Sequence, residues 1–241
     1  MNNDKKINNK NLLLIASFLL STSLISLKTL NFVNIKDIKI SGSKLFSKND
    51  LVKNSSLKFP TRLILINTRF LEEELKKNLS LKNVSVSRQI FPFGLRIQVQ
   101  TRKPVAYGER ILSNEKILGY IDADGVFINK QNVDKKNLNK SLIRVFGWKE
   151  KYKKKLSEIL IAQDINEFEL IKITFSPNGF LTLEEKDLKT ILLGFNSNLI
   201  NYQLQIINKF KIEFMKNNFS EKIDKIDLTD PYKPKIKVFK P

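Results

Sequence analysis

The chain has 241 residues, of which 43 are Lys or Arg and 24 are Asp or Glu, so its formal net charge is +19. It contains no Cys and no His, which excludes disulfide frameworks, thiolate metal sites, Ser-His-Asp triads and histidine metal motifs. With 41% hydrophobic residues the chain can bury a core, and its length fits one or two modest domains. Because Lys and Asn are dense throughout, the positive charge indicates a compositional bias more than one binding patch for nucleic acid.

An apolar segment near the N-terminus predicts a membrane anchor. Residues 12–27 carry no charged side chain, and the segment 11–33 reaches the length of about 20 residues that a membrane-spanning helix needs. Lysines precede it, and basic residues favour the cytoplasmic side, so we predict a cytoplasmic arm over residues 1–10 and an extracytoplasmic body. A cleaved signal peptide is the alternative, since it also combines a basic start with an apolar middle.

Residues 35–105 have the pattern of a small β-α-α-β-β module. Alternating apolar residues predict strands at 38–40 and over 84–99, where the turn at 91–94 folds the second stretch into a hairpin. Two helical segments lie between them, and the second carries leucines at four-residue spacing over 71–79.

Residues 106–241 predict a mostly antiparallel β domain with one long helix. The turn Asp122-Ala123-Asp124-Gly125 separates two of its strands. Apolar residues at helical spacing predict the long helix over 197–216. The final strand, over 235–239, alternates lysines with apolar residues and suits either an exposed sheet edge or an interior strand with one solvated face.

Three polar clusters favour structural over chemical roles. The turn at 122–125 resembles the start of a calcium loop, but the twelfth position, where a glutamate ligand is needed, is Val133. The carboxylates of residues 184–187 are predicted to lie on a solvated turn and not to form a catalytic pair. The lysine-rich run 151–155 is predicted to be a solvated helix face and not a phosphate contact. We therefore predict no catalytic, metal or cofactor site.

Short motifs in a fixed order accompany this pattern. Thr101-Arg102-Lys103-Pro104-Val105-Ala106 is similar to an E-R-x-P-V-A signature, departing from it at Thr101. Residues 120–127 resemble I-D-x-x-G-x-x-F, and Ile226-Asp227-Leu228 matches a later I-D-L strand. Together with the N-terminal segment they resemble the FtsQ/DivIB family of bacterial cell-division proteins. The resemblance covers nearly the whole chain and implies an α+β fold with a transmembrane helix, a POTRA-like domain and a β domain.

The same resemblance implies a non-catalytic function in the division machinery. In FtsQ-like proteins the C-terminal strands and the preceding helix dock a segment of FtsB, which pairs with FtsL. This favours the edge-strand interpretation of residues 235–239 and partner binding by strand addition. The expected function is a connector that positions the FtsB/FtsL pair during septum formation and links to septal peptidoglycan synthesis, anchored in the plasma membrane at the division site. The implied partner-binding residues are Tyr202, Tyr232, Ile236, Val238 and Phe239.

Three other classes remain as alternatives. A POTRA-type envelope chaperone would act by strand addition and is expected to carry further POTRA repeats or a C-terminal barrel. A basic nucleic-acid-binding protein needs a cytoplasmic body, contrary to the predicted export. An exported hydrolase using Lys or carboxylates lacks a convincing constellation of groups.

Overall fold

The computed structural model describes residues 9–29, 31–112, 115–134, 138, 142–166, 169–216 and 223–239. The chain divides into two compact units, residues 1–101 and 102–241. In chain order the first unit contains α1 (Asn9–Thr29), β1 (Phe32–Val33), β2 (Ile38–Ser41), α2 (Lys48–Lys53), β3 (Thr61–Arg62), α3 (Thr68–Asn78), β4 (Asn83–Ile90) and β5 (Phe93–Gln100).

The N-terminal helix differs from the predicted segment 11–33 at both ends. Helix α1 begins at Asn9 and ends at Thr29, and Phe32 and Val33 form β1, which pairs antiparallel with β3. Val33 is fully buried in the core of the first unit, so this end of the segment belongs to the folded domain. Across the residues described here, we find no helix with both the length and the hydropathy needed to cross a membrane.

The first unit contains the predicted β-α-α-β-β module. Its three-stranded sheet has the order β2-β5-β4, with β2 parallel and β4 antiparallel to β5. Leu71 and Leu75 of α3 are buried in one core with the apolar residues of β4 and β5. A capping box begins α2: the Ser47 hydroxyl accepts from the Asp50 N–H, and the Asp50 carboxylate accepts from the Ser47 N–H at 2.8 Å. The pattern of apolar alternation and helical spacing is thus confirmed for this unit.

The second unit is built on one nine-stranded sheet with the order β14-β13-β12-β11-β10-β9-β6-β7-β8. β9 is parallel to β6 and β10, and β12 is parallel to β13, while the other neighbours are antiparallel. The elements are β6 (Pro104–Leu112), β7 (Glu115–Asp122), β8 (Phe127–Asn129), β9 (Ile143–Trp148), α4 (Lys153–Asn166), β10 (Leu170–Phe175), β11 (Leu181–Glu185), β12 (Lys189–Gly194), α5 (Ile200–Lys216), β13 (Ile223–Asp227) and β14 (Lys235–Val238).

Helices α4 and α5 share the core of the second unit with the sheet. Leu156 and Ile159 of α4 and Leu204 and Ile207 of α5 are buried in the same cluster as the inward residues of the strands. The predicted long helix begins at Ile200, because residues 197–199 form a separate 3₁₀ turn. The two units together bear out the α+β class and the β domain with a long helix.

Two of the sequence motifs meet in the second unit. Arg102 forms an ion pair with Asp122 and another with Asp124, the latter at 2.9 Å between Nη1 and Oδ2. Asp122 also accepts a hydrogen bond from the Val126 N–H at 2.8 Å. The indole of Trp148 donates to the Gly125 carbonyl at 3.1 Å. The turn at 122–125 is therefore held from both sides, and one arginine pairs with both of its carboxylates.

The predicted solvated turn at 184–187 contains a buried carboxylate. Glu185 is almost fully buried and accepts hydrogen bonds from the N–H groups of Asp187 at 2.7 Å and Leu188 at 2.8 Å. Lys211 of α5 donates to the same carboxylate at 2.9 Å. The prediction of a solvated turn is wrong for Glu185, because main-chain N–H groups of the same turn and the ammonium of Lys211 bind its carboxylate in the interior.

The lysine-rich run 151–155 is also only partly solvated. Lys151 and Lys154 are exposed, whereas Tyr152 and Lys155 are buried. The reason is the stacking of the Tyr152 ring on Phe175 of β10, with centroids 4.6 Å apart. Lys155 in turn donates to the Phe195 carbonyl at 3.3 Å, so the prediction of a solvated face is wrong at these two positions.

Candidate partner-binding site

The last strand lies at one end of the sheet. Among the strands that the structure describes, β14 pairs with β13 alone. All four of its residues are exposed. The structure thus places residues 235–238 at a sheet edge, and the alternative of an interior strand is wrong. A strand at an edge presents N–H and C=O groups that another chain can pair with.

The two faces of β14 differ in chemistry. Ile236 lies opposite Ile226, and Val238 lies opposite Ile223, and both partners on β13 are buried in the core. Directly opposed residues of an antiparallel pair share a face, so the half-exposed Ile236 and Val238 extend the core face of the sheet. Phe239, which follows the strand, is exposed as well.

The other face of β14 is basic. Lys235 and Lys237 alternate with the apolar residues and therefore point to the opposite face. The ammonium of Lys237 lies 3.3 Å from the carboxylate of Asp224 on β13, and both side chains are accessible to water. Lysines on an edge strand discourage indiscriminate strand pairing, and they favour a partner that brings acidic groups.

A pair of exposed tyrosines lies beside the start of this strand. Tyr202 on α5 and Tyr232 on the loop before β14 have ring centroids 5.3 Å apart, with an interplanar angle of 34°. Tyr232 is 73% exposed. Its N–H donates to the Asp230 carboxylate at 3.1 Å, which fixes the loop locally. The structure therefore brings together two of the five residues implied by the resemblance, on two different elements.

The loop that carries Tyr232 is also fixed where it leaves β13. The Asp227 carboxylate accepts hydrogen bonds from the Thr229 hydroxyl at 2.7 Å and from its N–H at 3.0 Å. These hydrogen bonds lower the pKa of Asp227 below its usual value. A charged Asp227 is thus favoured, and the loop geometry is maintained by it over the ordinary pH range.

Gln203 holds α5 in place, and sequence reasoning missed it. Its side chain is fully buried and donates through Nε2 to the carbonyls of Leu193 at 2.8 Å and Leu228 at 2.6 Å. The helix is thereby fixed to the ends of β12 and β13, next to Tyr202. The available signal was a polar residue inside the apolar stripe of a helix, because such a residue must find partners when it is buried.

We call Tyr202, Tyr232, Ile236, Val238 and Phe239 the docking surface. The tyrosine pair and the apolar side of β14 are joined by the short link from Tyr232 to Lys235. All five side chains are exposed, so they offer apolar area and ring faces at an open sheet edge. Such a surface is suited to binding a polypeptide by adding a strand and burying apolar side chains.

A β-α-α-β-β module followed by a β domain with an exposed edge strand is an arrangement suited to protein–protein interaction. Residues 33–102 match the family model "POTRA domain, FtsQ-type". A curated relative, the cell division protein DivIB of Clostridium acetobutylicum, is 31% identical over 112 residues, which are 46% of this chain and 43% of the relative. The matched region thus spans less than half the length of that relative. Residues 33–102 are therefore similar to an FtsQ-type POTRA domain, and the chain resembles a DivIB cell-division protein over part of its length, in agreement with the sequence motifs.

Proposed function

We propose that the protein is a non-catalytic connector of the division machinery that binds an FtsB-type partner, paired with FtsL, at the docking surface. The observation that carries the proposal is the edge strand β14, which has five exposed docking residues on and beside it. The link to septal peptidoglycan synthesis would follow from the partners that this surface positions. The family relationship supports a function in division, and the surface chemistry supports the mode of binding.

The chemistry of β14 defines the partner segment. Added beside β14, it would form a tenth strand of the sheet, hydrogen bonded along its main chain. Residues opposite Ile236 and Val238 would be apolar, because they would extend the core face. Residues opposite Lys235 and Lys237 would be acidic, since opposite charges on facing positions stabilise a strand pair. We therefore expect a segment with alternating apolar and acidic residues.

The tyrosine pair supplies a second anchor outside the strand. Aromatic side chains that become fully desolvated dominate many interfaces. Burying the exposed part of Tyr232, roughly 150 Å², would contribute about 3–4 kcal/mol before the costs of association. Removal of this ring is therefore expected to weaken binding by at least about tenfold, which corresponds to about 1.4 kcal/mol.

We further propose that the apolar N-terminal segment attaches the protein to the plasma membrane, with a cytoplasmic N-terminus. Every described side chain from Leu13 to Leu24 is exposed and none is charged. The Ser21 and Thr22 hydroxyls donate to the carbonyls of Phe18 and Leu19 at 2.8 and 2.9 Å, so they are satisfied within the helix. Polar groups satisfied inside their own segment are what a hydrocarbon environment requires.

The binding test compares variants of the full chain with an FtsB/FtsL-type pair by titration or co-purification. Tyr232→Ala is expected to weaken binding at least tenfold, and Phe91→Ala is the matched control because Phe91 is also 73% exposed. Equal binding by the two variants would contradict the docking surface.

A second pair of variants tests strand addition itself. In an antiparallel ladder, N–H groups of successive residues point alternately to one neighbour and to the other. Proline has no main-chain N–H. One of the two substitutions Lys237→Pro and Val238→Pro therefore removes a hydrogen bond to β13, and the other removes an N–H that would pair with the partner strand. We expect the first to lower stability, and the second to abolish binding with stability retained. Binding that survives both substitutions would refute strand addition.

Localisation and topology test the anchor. An N-terminal fluorescent fusion is expected to form a band at the division site. The chain has no native cysteine, so Gln131→Cys at an exposed position gives a unique thiol for a membrane-impermeant maleimide. Labelling in cells with a permeable outer envelope is expected, and its failure would refute export of the second unit.

A further inference from the structure

The start of α4 concentrates positive charge. Its first turn reads Lys153-Lys154-Lys155-Leu156, with Lys151 just before it. The N-terminus of a helix already carries a positive partial charge, which favours anions and disfavours lysines. Glu150 offsets this charge in part, through a solvent-exposed contact with Lys153 at 3.8 Å. The start of α4 therefore keeps an excess of positive charge, which favours a bound anion.

A cleft of about 590 Å³ opens at this point of the second unit. Its walls come from the start of α4, the turn between β10 and β11, and the segment that leads into α5. Lys154 and Lys155 of α4 line the cleft, together with Lys151 just before that helix. The cleft is also lined by Asn198, which precedes α5, and by Asn201 in the first turn of α5. The lining contains these three lysines and one acidic residue, Glu158. The cleft is thus a polar, cationic site of a size that admits a small anion.

A buried hydroxyl in the cleft wall lacks a hydrogen-bond partner. Tyr152 is 8% exposed, and its Oη has no partner among the described residues. Stacking on Phe175 fixes the ring. Gly179 leaves the space beside the hydroxyl free, since a Cβ there would lie 3.2 Å from Oη. Buried polar groups are normally paired, so an unpaired hydroxyl in a cleft wall suits a ligand that accepts a hydrogen bond.

A buried ammonium lies in the same wall. Lys155 is 9% exposed, and its Nζ donates to the Phe195 carbonyl at 3.3 Å. Burial lowers the pKa of Lys155, because the charged form is poorly hydrated. An ammonium has three donors, and the carbonyl accepts one of them. An anion in the cleft would accept another and would stabilise the charged form.

We propose that this cleft binds a phosphate-bearing anion, with the ammonium groups of Lys154 and Lys155 and the hydroxyl of Tyr152 as donors. A phosphate carries more charge and more acceptor oxygens than a carboxylate, and it matches several cations and a hydroxyl converging on one cleft. Lysine binds phosphate as a point charge and needs no fixed planar geometry. The anion can come from a free phosphate or diphosphate, or from a phospholipid headgroup. The proposal is independent of partner binding at the docking surface.

The test titrates the full chain with inorganic pyrophosphate by calorimetry at 0.15 M salt, where the Debye length of about 8 Å suppresses long-range attraction by the net charge. Lys154→Gln is expected to weaken binding at least tenfold. Lys130→Gln removes an equal charge at an exposed lysine beyond β8 and is expected to change affinity less than twofold. Tyr152→Phe removes only the hydroxyl and is expected to weaken binding about fivefold, within the range for one hydrogen bond. Emission of the buried Trp148 checks that each variant is folded.

A second arm with soluble short-chain phosphatidylglycerol separates the two sources. Binding of pyrophosphate alone supports a free or terminal phosphate, and binding of both probes with the same variant pattern supports a headgroup. The proposal is overturned if neither probe binds saturably. It is also overturned if Lys154→Gln and Tyr152→Phe bind as tightly as Lys130→Gln.

Discussion

Replacing Arg102 with alanine is expected to destabilise the second unit by about 3 kcal/mol, because it leaves a buried carboxylate without its cation. Arg102 pairs with Asp122 and Asp124, and the side chains of the three are 11%, 7% and 58% exposed. The pair with Asp122 is therefore buried, and the pair with Asp124 is largely in water. Only the first should contribute much to stability.

The magnitude follows from this difference in burial. Breaking a buried ion pair by removing one partner costs about 3–5 kcal/mol, mostly because the remaining charge stays desolvated. The Val126 N–H still donates to Asp122 at 2.8 Å, which places the expected loss at the lower end. A solvent-exposed pair contributes about 0–1 kcal/mol, so Asp124→Ala should lie within that range. Lys103→Ala controls for the loss of one positive charge at an exposed neighbour.

The assay is urea unfolding followed by the fluorescence of Trp148, the one tryptophan of the chain. Its indole donates to Gly125 in the same turn, so the signal reports on the unit that the substitution affects. A double-mutant cycle with Asp122→Ala should show a coupling of about 1–3 kcal/mol. The reasoning is refuted if Arg102→Ala lowers the unfolding free energy no more than Asp124→Ala and Lys103→Ala do.

Two further predictions concern carboxylates with defined partners. Glu185→Gln is expected to cost about 3 kcal/mol in a urea titration, because Lys211 and the turn amides lose a buried anion; a loss below about 1 kcal/mol would contradict the role of this pair. Hydrogen bonds from Thr229 lower the pKa of Asp227, so its stabilisation is present above the unfolded pKa and is lost as the pH falls through the folded value. Asp227→Asn should therefore lower stability at neutral pH and have less effect in acid, and an equal loss at both pH values would contradict this.

Local patterns predicted the elements well, because their causes lie within a few residues. The capping box at Ser47 and the leucine stripe that contains Leu71 and Leu75 specify helices wherever the rest of the chain goes. Alternation along β4 and β5 specifies a hairpin in the same way. The edge position of β14 was ambiguous in the pattern, since an alternating strand suits an edge or an interior position. Family resemblance resolved it, and the sheet order agrees.

The errors have non-local causes. Glu185 looked solvated, because nothing near it in sequence reveals that Lys211, 26 residues later, will be brought to its carboxylate. Tyr152 and Lys155 lie in a lysine run, and their burial depends on Phe175 and Phe195, which other elements supply. Val33 looked like the end of an apolar helix, and pairing with β3 draws it into a core instead. Each case required knowledge of which distant residue would become a neighbour.

The two proposed sites on the second unit meet at the first turn of α5, and this decides which variants can separate them. Asn201 lines the cationic cleft, and the next residue, Tyr202, contacts Tyr232 on the docking surface. A substitution at Tyr202 can shift Asn201 through the helix backbone, so loss of partner binding there would have two explanations. Tyr232 and Lys154 do not share this ambiguity, because neither lies on α5: Tyr232 is on the loop before β14, and Lys154 is in α4. If Tyr232→Ala impairs only partner binding and Lys154→Gln impairs only pyrophosphate binding, the sites are independent. If either variant impairs both, α5 couples them, and Gln203, which fixes that helix to β12 and β13, is the residue through which the coupling would be tested next.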